Sequence, residues 1–347
     1  MKIGYAPYSP GLTDPGDRRR FPRYAAMKGL QFDLVDGISN KYDVVILSSK
    51  ADIAGWSSVR QTRTKVVYEL IDSQLALPSS SLQWNALGIA KTLTRELSRP
   101  VLNYRKAIEA MCRRADALIC GSPEQKSQLR TLNDRVYDIL DFNEEIGGHL
   151  KSHYEVADRP RLVWEGLSYS VKHLRLLAPV VDELNGAVEV RVITDPFVPR
   201  VGARYLRVPT RHVLDRTFGN FDLRTWEKGT MPGLVTGADI AVIPIDLSDP
   251  VARAKPENKL MLLWRLGMPV IASATPAYQR CMSTAGLDLT CASTNDWVTA
   301  LRKLLAEEGA RRSAADAGRT YVKMNCDTAV LVQRWDEVLA DVTALTG

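Results

Sequence analysis

Between Arg253 and Ser273, three residues able to grip an anion crowd what reads as the start of a helix, Lys255, Asn258 and Lys259, with Glu257 among them as a further candidate for the donor sugar. Pro256 suits the first helical position, where its missing N–H would be unpaired in any case. The free N–H groups of a first turn point outward, and the helix dipole adds partial positive charge. Such a turn can hold a phosphate; the same residues also fit a solvated basic helix end. Leu260, Leu263, Trp264 and Leu266 follow at helical spacing. Gly267 ends the helix, and Pro269 prevents its return. Met268 to Ser273 then reads as a strand covered on both faces.

Other loops add candidates. Gly166 opens a turn after the strand at 161–165, and Lys172 falls early in the next helix, placed to reach a diphosphate at 256–259. Gly11 and Gly16 allow a ligand close to the backbone of the first loop, which also carries Arg18, Arg19 and Arg20. That loop is no G-x-G-x-x-G, which argues against a dinucleotide-dependent dehydrogenase. Asp72 closes the strand at 65–71, as an acceptor's hydroxyl partner, a base, or an ordinary turn residue. Ser48 to Asp52 carries the same ambiguity. Thr194 and Trp226 lie where a nucleoside can be held, although Trp more often serves a core. Over 84–114, seven cations against two anions interleave with apolar and aromatic residues. That pattern fits an anionic membrane surface or a lipid-linked substrate, and equally a helix with a solvated basic face.

The 347 residues carry a net charge of +6, too mild to imply nucleic acid. The five cysteines are odd in number and lack metal-ligand spacing, so reduced thiols in a cytoplasmic protein are expected. The four histidines suggest no zinc motif, although His149 and His153 stand at His-x-x-x-His spacing. The chain opens directly on a strand-like segment, so no leader is expected, and no apolar run approaches a membrane span.

The elements that must position these residues alternate as strand and helix. Strands are expected near 2–6, 31–35, 43–48, 65–71, 116–120 and 136–140, then near 161–165, 188–194, 204–208, 239–244, 269–273 and 287–291. Repeated β-α alternation implies α/β architecture, with two doubly wound parallel-sheet domains. The polar, glycine-bearing stretch 142–160 reads as their linker, giving domains at 1–155 and 156–326. Ligands of such sheets bind beyond the carboxyl ends of the strands, here in a cleft which the two domains face. Three helices follow, near 294–306, 309–324 and 327–343; the last has an apolar face that must dock somewhere.

Taken together these residues resemble the group 1 glycosyltransferases of the GT-B fold, which use nucleotide sugars and mostly retain anomeric configuration. Gly166 to Lys172 looks like that family's first C-domain loop, and Ala238 to Pro244 like its Ala-Asp-Ile strand. Lys255 to Lys259 with Leu266 to Ala272 looks like its donor-binding turn, helix and Gly-x-Pro-Val-Ile strand. The likeness covers about 160–340; the first half matches only in architecture and in its glycine-bearing loop. It implies a sugar moved from a nucleotide-diphosphate sugar to a glycan or lipid-linked acceptor, in surface polysaccharide or glycolipid synthesis. No metal cofactor is implied, and the tail 327–347 would cross back to the first domain. It also implies a cytoplasmic protein, with any peripheral attachment at the inner face of a membrane. Many members carry two glutamates eight positions apart; Ala254 and Leu262 stand at those positions. That departure leaves two other readings: a nucleotide-sugar epimerase or hydrolase, and a non-catalytic binding module.

Overall fold

The computed structural model describes residues 1–59, 63–143, 149–199 and 207–344. The chain divides into two compact units. One comprises Met1–Phe142, Ala254–Pro256 and Thr328–Gly347; the other comprises Asn143–Arg253 and Glu257–Asp327.

The first unit is built on β1 (Ile3–Ala6), β2 (Phe32–Leu34), β3 (Val44–Leu47), β4 (Lys65–Glu69), β5 (Ala117–Cys120) and β6 (Val136–Asp138). Their order is β2-β1-β3-β4-β5-β6, and every pairing is parallel. β1, β3 and β5 are buried along their whole length, as a sheet with helices on both faces requires. Strand order reverses between β1 and β3, so the crevice of this sheet opens at their carboxyl ends.

The second unit contains β7 (Arg161–Glu165), β8 (Glu189–Thr194), β9 (Phe197–Pro199), β10 (Arg207–Pro209), β11 (Phe221–Thr225), β12 (Ile240–Ile243), β13 (Val270–Ser273) and β14 (Thr290–Cys291). Its sheet runs β11-β8-β7-β12-β13-β14, again parallel, and reverses between β7 and β12. The third strand differs from the sequence reading. Of the segment expected at 204–208, residues 204–206 lie outside those described, and Arg207–Pro209 pairs antiparallel with β9 in a separate ribbon. The sheet position is taken by β11, whose Phe-Asp-Leu-Arg-Thr alternates apolar and polar because it is an edge strand with no fully buried residue.

The stretch at 142–160 is not all linker. Residues 144–148 lie outside those described, but beyond them Lys151 is buried and donates to the Ala238 carbonyl at 2.7 Å. Tyr154 is buried beside it and donates to the Gly267 carbonyl at 2.9 Å. Gly267 itself has φ +76°, the left-handed conformation that ends the preceding helix, and Met268 N–H closes back on the Leu263 carbonyl at 3.1 Å.

The last helix, Thr328–Ala344, packs within the first unit. Trp335, fully buried, stacks on Tyr24 at 5.5 Å and tilts against Phe21 at 5.7 Å. Asp336 accepts from the Tyr24 hydroxyl at 2.7 Å and pairs with Lys28 at 3.1 Å. Residues 345–347 of the tail lie outside those described.

Candidate functional site

In the second unit the carboxyl ends of β7, β8 and β11 bring several expected residues together. β7 ends on Glu165, and Gly166 follows. A Cβ on Gly166 would sit 2.9 Å from the Trp164 ring and nearer still to Lys259 Nζ, so a larger residue there must displace one or both. Lys259 Nζ lies 4.6 Å from the centre of the Trp164 ring and donates to the Glu165 carbonyl. The lysine is thus held by a ring face and a carbonyl dipole.

The helix carrying Lys259 runs Asn258–Arg265, two residues later than Pro256 had suggested. Pro256 falls instead in the turn before it, where Glu257 is the N-cap residue and is almost wholly buried. One Glu257 carboxylate oxygen accepts from Arg280 at 2.7 Å. Burial of a carboxylate requires such a partner, so Glu257 orders the turn from within. Asn258 and Lys259, which follow it, are half-buried, as is Lys255. The helix is seated by Trp264, fully buried, against Tyr321 of the helix Glu308–Asn325 at 5.4 Å. Gly318 of that helix leaves the room which the Trp264 ring fills.

Lys172 falls in the turn of 3-10 helix Ser168–Leu177 and is exposed. Its ammonium meets Asp249 at 2.9 Å. Burial tends to raise the Asp249 pKa, but hydrogen bonds from the Ala252 N–H and from Lys172 outweigh it and hold the carboxyl below its ordinary range. Asp246, nearby in sequence, is held down to about 2 by hydrogen bonds from the Ser248 hydroxyl and N–H, with Arg175 adding its charge. An anion arriving at Lys172 therefore competes with Asp249.

The nucleoside candidates separate. Thr194 is fully buried, and its hydroxyl has no hydrogen-bond partner among the described residues. Only its carbonyl reaches out, accepting from the Trp226 N–H at 3.0 Å. Trp226 is half-buried, and its indole N–H donates to Glu165 at 3.0 Å. Ser168 N–H donates to Asp195 at 3.3 Å. Glu165 and His173 were not among the expected residues. His173 is buried and accepts from the Asp246 N–H at 3.2 Å; an isolated histidine in an apolar helix pattern carries no sign of that in sequence.

In the first unit, the loop after β1 is organised by a buried carboxylate. Asp17 accepts from the Tyr5 hydroxyl and the Tyr8 N–H, each at 2.9 Å, and from Ser9 N–H and Oγ at 2.9 and 2.8 Å. Gly16 packs on the Tyr8 ring, which a Cβ would strike at 2.7 Å; Gly11 is exposed with room to spare. Arg18 donates to the Thr13 carbonyl at 3.2 Å. Arg20, grouped in the sequence with two surface arginines, is instead buried, bonding Glu69 at 2.9 Å and Asp141 at 2.8 Å. Burial raises the Glu69 pKa although Arg20 opposes it. The sign in sequence was a glutamate ending the apolar strand Lys65–Glu69. Asp72 is exposed just beyond, with its carbonyl accepting from Gln74 N–H at 2.7 Å.

The basic segment 84–114 is two helices, Gln83–Leu93 and Tyr104–Arg114. Arg105 and Arg114 do not form part of an open basic face: Arg105 holds the Leu75 and Leu77 carbonyls and Glu109, and Arg114 holds the Val59 carbonyl. Gln83–Leu93 is seated by Trp84 and Gly88, while Leu82, Leu87, Ile89 and Leu93 stand exposed, as does Leu102 beyond it. Among the described residues no helix is long and apolar enough to cross a membrane, and no group of His, Cys, Asp or Glu is placed to hold a metal.

No protein-family model and no curated protein matches the sequence. Solved structures match in fold. Sucrose-phosphate synthase from Thermosynechococcus elongatus is similar over 99% of this chain and 100% of that one, at 14% identity and a TM-score of 0.65. Anabaena Alr3699/HepE in complex with UDP is similar over 98% and 100%, at 11% identity and 0.63. WaaG, a glycosyltransferase involved in lipopolysaccharide biosynthesis, is similar over 97% and 99%, at 14% identity and 0.57. The match to S. aureus TarM covers 85% of this chain and 54% of that one, so this chain spans about half of TarM. These likenesses show a class of architecture, the GT-B-like pairing of two doubly wound parallel-sheet units.

Proposed function

We propose that this protein is a glycosyltransferase that moves a sugar from a nucleotide-diphosphate sugar to a glycan or lipid-linked acceptor, with retention and without a metal. The observation that supports it most is the cradle of Lys259 on Trp164 against Gly166, at the switch point of the second sheet and at a helix start. In this reading Lys259 and the N–H groups of the first turn of Asn258–Arg265 take the diphosphate. Lys255, Asn258 and Lys172 add to that charge, Lys172 exchanging Asp249 for phosphate. Their work is to stabilise the negative charge that builds on the leaving diphosphate as the glycosidic bond breaks. Glu257 is a positioning residue, acting through Arg280. Trp226 is offered to the base, and Thr194 contributes only its backbone. The first unit takes the acceptor, with Asp72 as hydroxyl partner or base and Gly11, Gly16 and Arg18 in the adjoining loop. The exposed leucines around Gln83–Leu93 lie on the inner leaflet of an anionic membrane.

Calorimetric titration with UDP and GDP tests the donor site. Wild type should bind one of them. Lys259→Ala should weaken it about tenfold or more, the range expected for losing a hydrogen bond to a charged group. Unchanged affinity in a folded Lys259→Ala protein would overturn the phosphate assignment.

A non-catalytic binding module is the second reading. It is favoured by Ala254 and by Leu262, which is buried and apolar where many glycosyltransferases place a carboxylate. Release of UDP or GDP from a panel of sugar nucleotides, in the presence of acceptor extracts, separates the two readings: binding without release supports the module.

A further inference from the structure

A cavity of about 580 Å³ opens in the first unit beside the loop after β1, of which Pro7 and Pro10 line it. Ala6, Leu34 and Val35 line it, which places it at the carboxyl ends of β1 and β2; Lys50 and Asp52 bring in the loop after β3. Strand order reverses between β1 and β3, so this is the switch-point crevice of the first sheet, where doubly wound folds take ligands. Trp56, buried, gives it part of an apolar wall.

The charged residues of the lining fall into two groups. Asp52 accepts from the Gly55 N–H at 3.0 Å and so caps a helix. Glu96 is held by Lys91 at 2.7 Å and by the Thr94 hydroxyl at 3.0 Å. Both are committed to the fold. Asp36, Lys50 and Arg95 are exposed to the cavity, and among the described residues their side chains make no hydrogen bond or ion pair.

Arg95 carries a second, independent sign. Its φ is +58°, one of three positive values at non-glycine residues among those described. It ends the helix Gln83–Leu93 in a left-handed turn, with Glu96 N–H closing on the Lys91 carbonyl at 3.0 Å. Glycine is the residue that takes such a position without strain. An arginine there costs backbone energy, and strain of this kind gathers at ligand sites. What arginine offers in return is a guanidinium fork suited to phosphate or carboxylate.

We propose that this cavity is the acceptor pocket, in which Lys50 and Arg95 hold an anionic group of the acceptor sugar and Asp36 accepts its hydroxyls. The proposal rests on the transferase reading and names the acceptor's chemistry: a sugar bearing phosphate or carboxylate. The apolar wall beside Trp56 suits the C–H face of a pyranose ring.

The test titrates the full chain with glucose, glucuronic acid and glucose 6-phosphate, and separately with UDP and GDP. At least one anionic sugar should bind, and glucose at least tenfold more weakly; the two anionic sugars distinguish carboxylate from phosphate. Arg95→Gly and Lys50→Gln should each weaken the anionic sugar at least tenfold while leaving nucleotide affinity unchanged. Arg95→Gly should also keep or raise the Tm, because it relieves the left-handed turn. Wild-type affinity for the anionic sugar in both variants, or equal binding of glucose, overturns the proposal. If a nucleotide binds and neither anionic sugar does, the inference falls and the transferase reading stands. If neither nucleotide binds, the transferase reading falls and takes the acceptor role of the cavity with it.

Discussion

Gly166 and Lys259 depend on each other through one ring. The indole of Trp164 sits under the ammonium, and the missing Cβ of Gly166 leaves room for both. A Gly166→Ala change must move the lysine or the buried tryptophan. Moving the lysine's end is cheap; moving Trp164 within a packed sheet costs about 1–3 kcal/mol, the range for overpacking a core. The expected result is a lower Tm together with weakened UDP or GDP binding, read by thermal melts and calorimetry. An alanine variant with wild-type Tm and wild-type affinity would show that this cradle is not the phosphate site. The cysteines are a contrast. All five are buried, and burial pushes the thiols of Cys112, Cys120 and Cys291 up to about 12. They are packing residues, and in those three burial works against the thiolate.

The final helix is fastened to the first unit by one apolar face. Its apolar face, plain in the spacing of Leu331, Trp335, Val338 and Leu339, is buried in the first unit. Trp335 meets two aromatic rings there, and truncating a buried tryptophan costs about 3–5 kcal/mol. Trp335→Ala should therefore lower the free energy of unfolding by about that much in a urea titration. A loss under about 1 kcal/mol would mean that the helix contributes little. The helix Gln83–Leu93 is the opposite case. One face is fixed by Trp84 and Gly88, and the rest carries leucine and isoleucine into solvent.

That exposed face belongs to a chain with a net charge of +6, and Arg99 stands exposed just beyond the helix. Apolar side chains bind a bilayer by burial, while nearby cations add attraction to anionic lipid that salt screens. The protein should cosediment with vesicles containing phosphatidylglycerol and less with pure phosphatidylcholine. Raising salt should weaken the binding. Replacing Leu82, Leu93 and Leu102 together by Ser should abolish most of it. Equal cosedimentation of that triple variant would remove the membrane role. Acid stability has its own source: hydrogen bonds hold Asp246 at about 2, a depressed pKa whose contribution is present above the ordinary carboxylate range and lost as pH falls toward 2.

The two parallel sheets were legible because their signal is local. Short apolar runs alternating with amphipathic helices force strands into a sheet covered on both faces, and Gly267 followed by Pro269 marks a helix end whatever surrounds it. β11 escaped for a physical reason: an edge strand is half-solvated, so Phe-Asp-Leu-Arg-Thr has no apolar run. The candidate site was legible only as a set of residue types. Lys172 and Lys259 look alike in sequence, yet packing put one against Asp249 and the other over Trp164. Arg18 and Arg20 are two residues apart, yet Arg20 alone turned inward to Glu69 and Asp141. Those choices depend on partners 49 to 121 positions away along the chain. The opening turn shows both sides of this. Its lysines and proline announce a helix start, but a start at Asn258, a buried Glu257 on Arg280 and a lysine over an indole come only from how distant strands and helices pack.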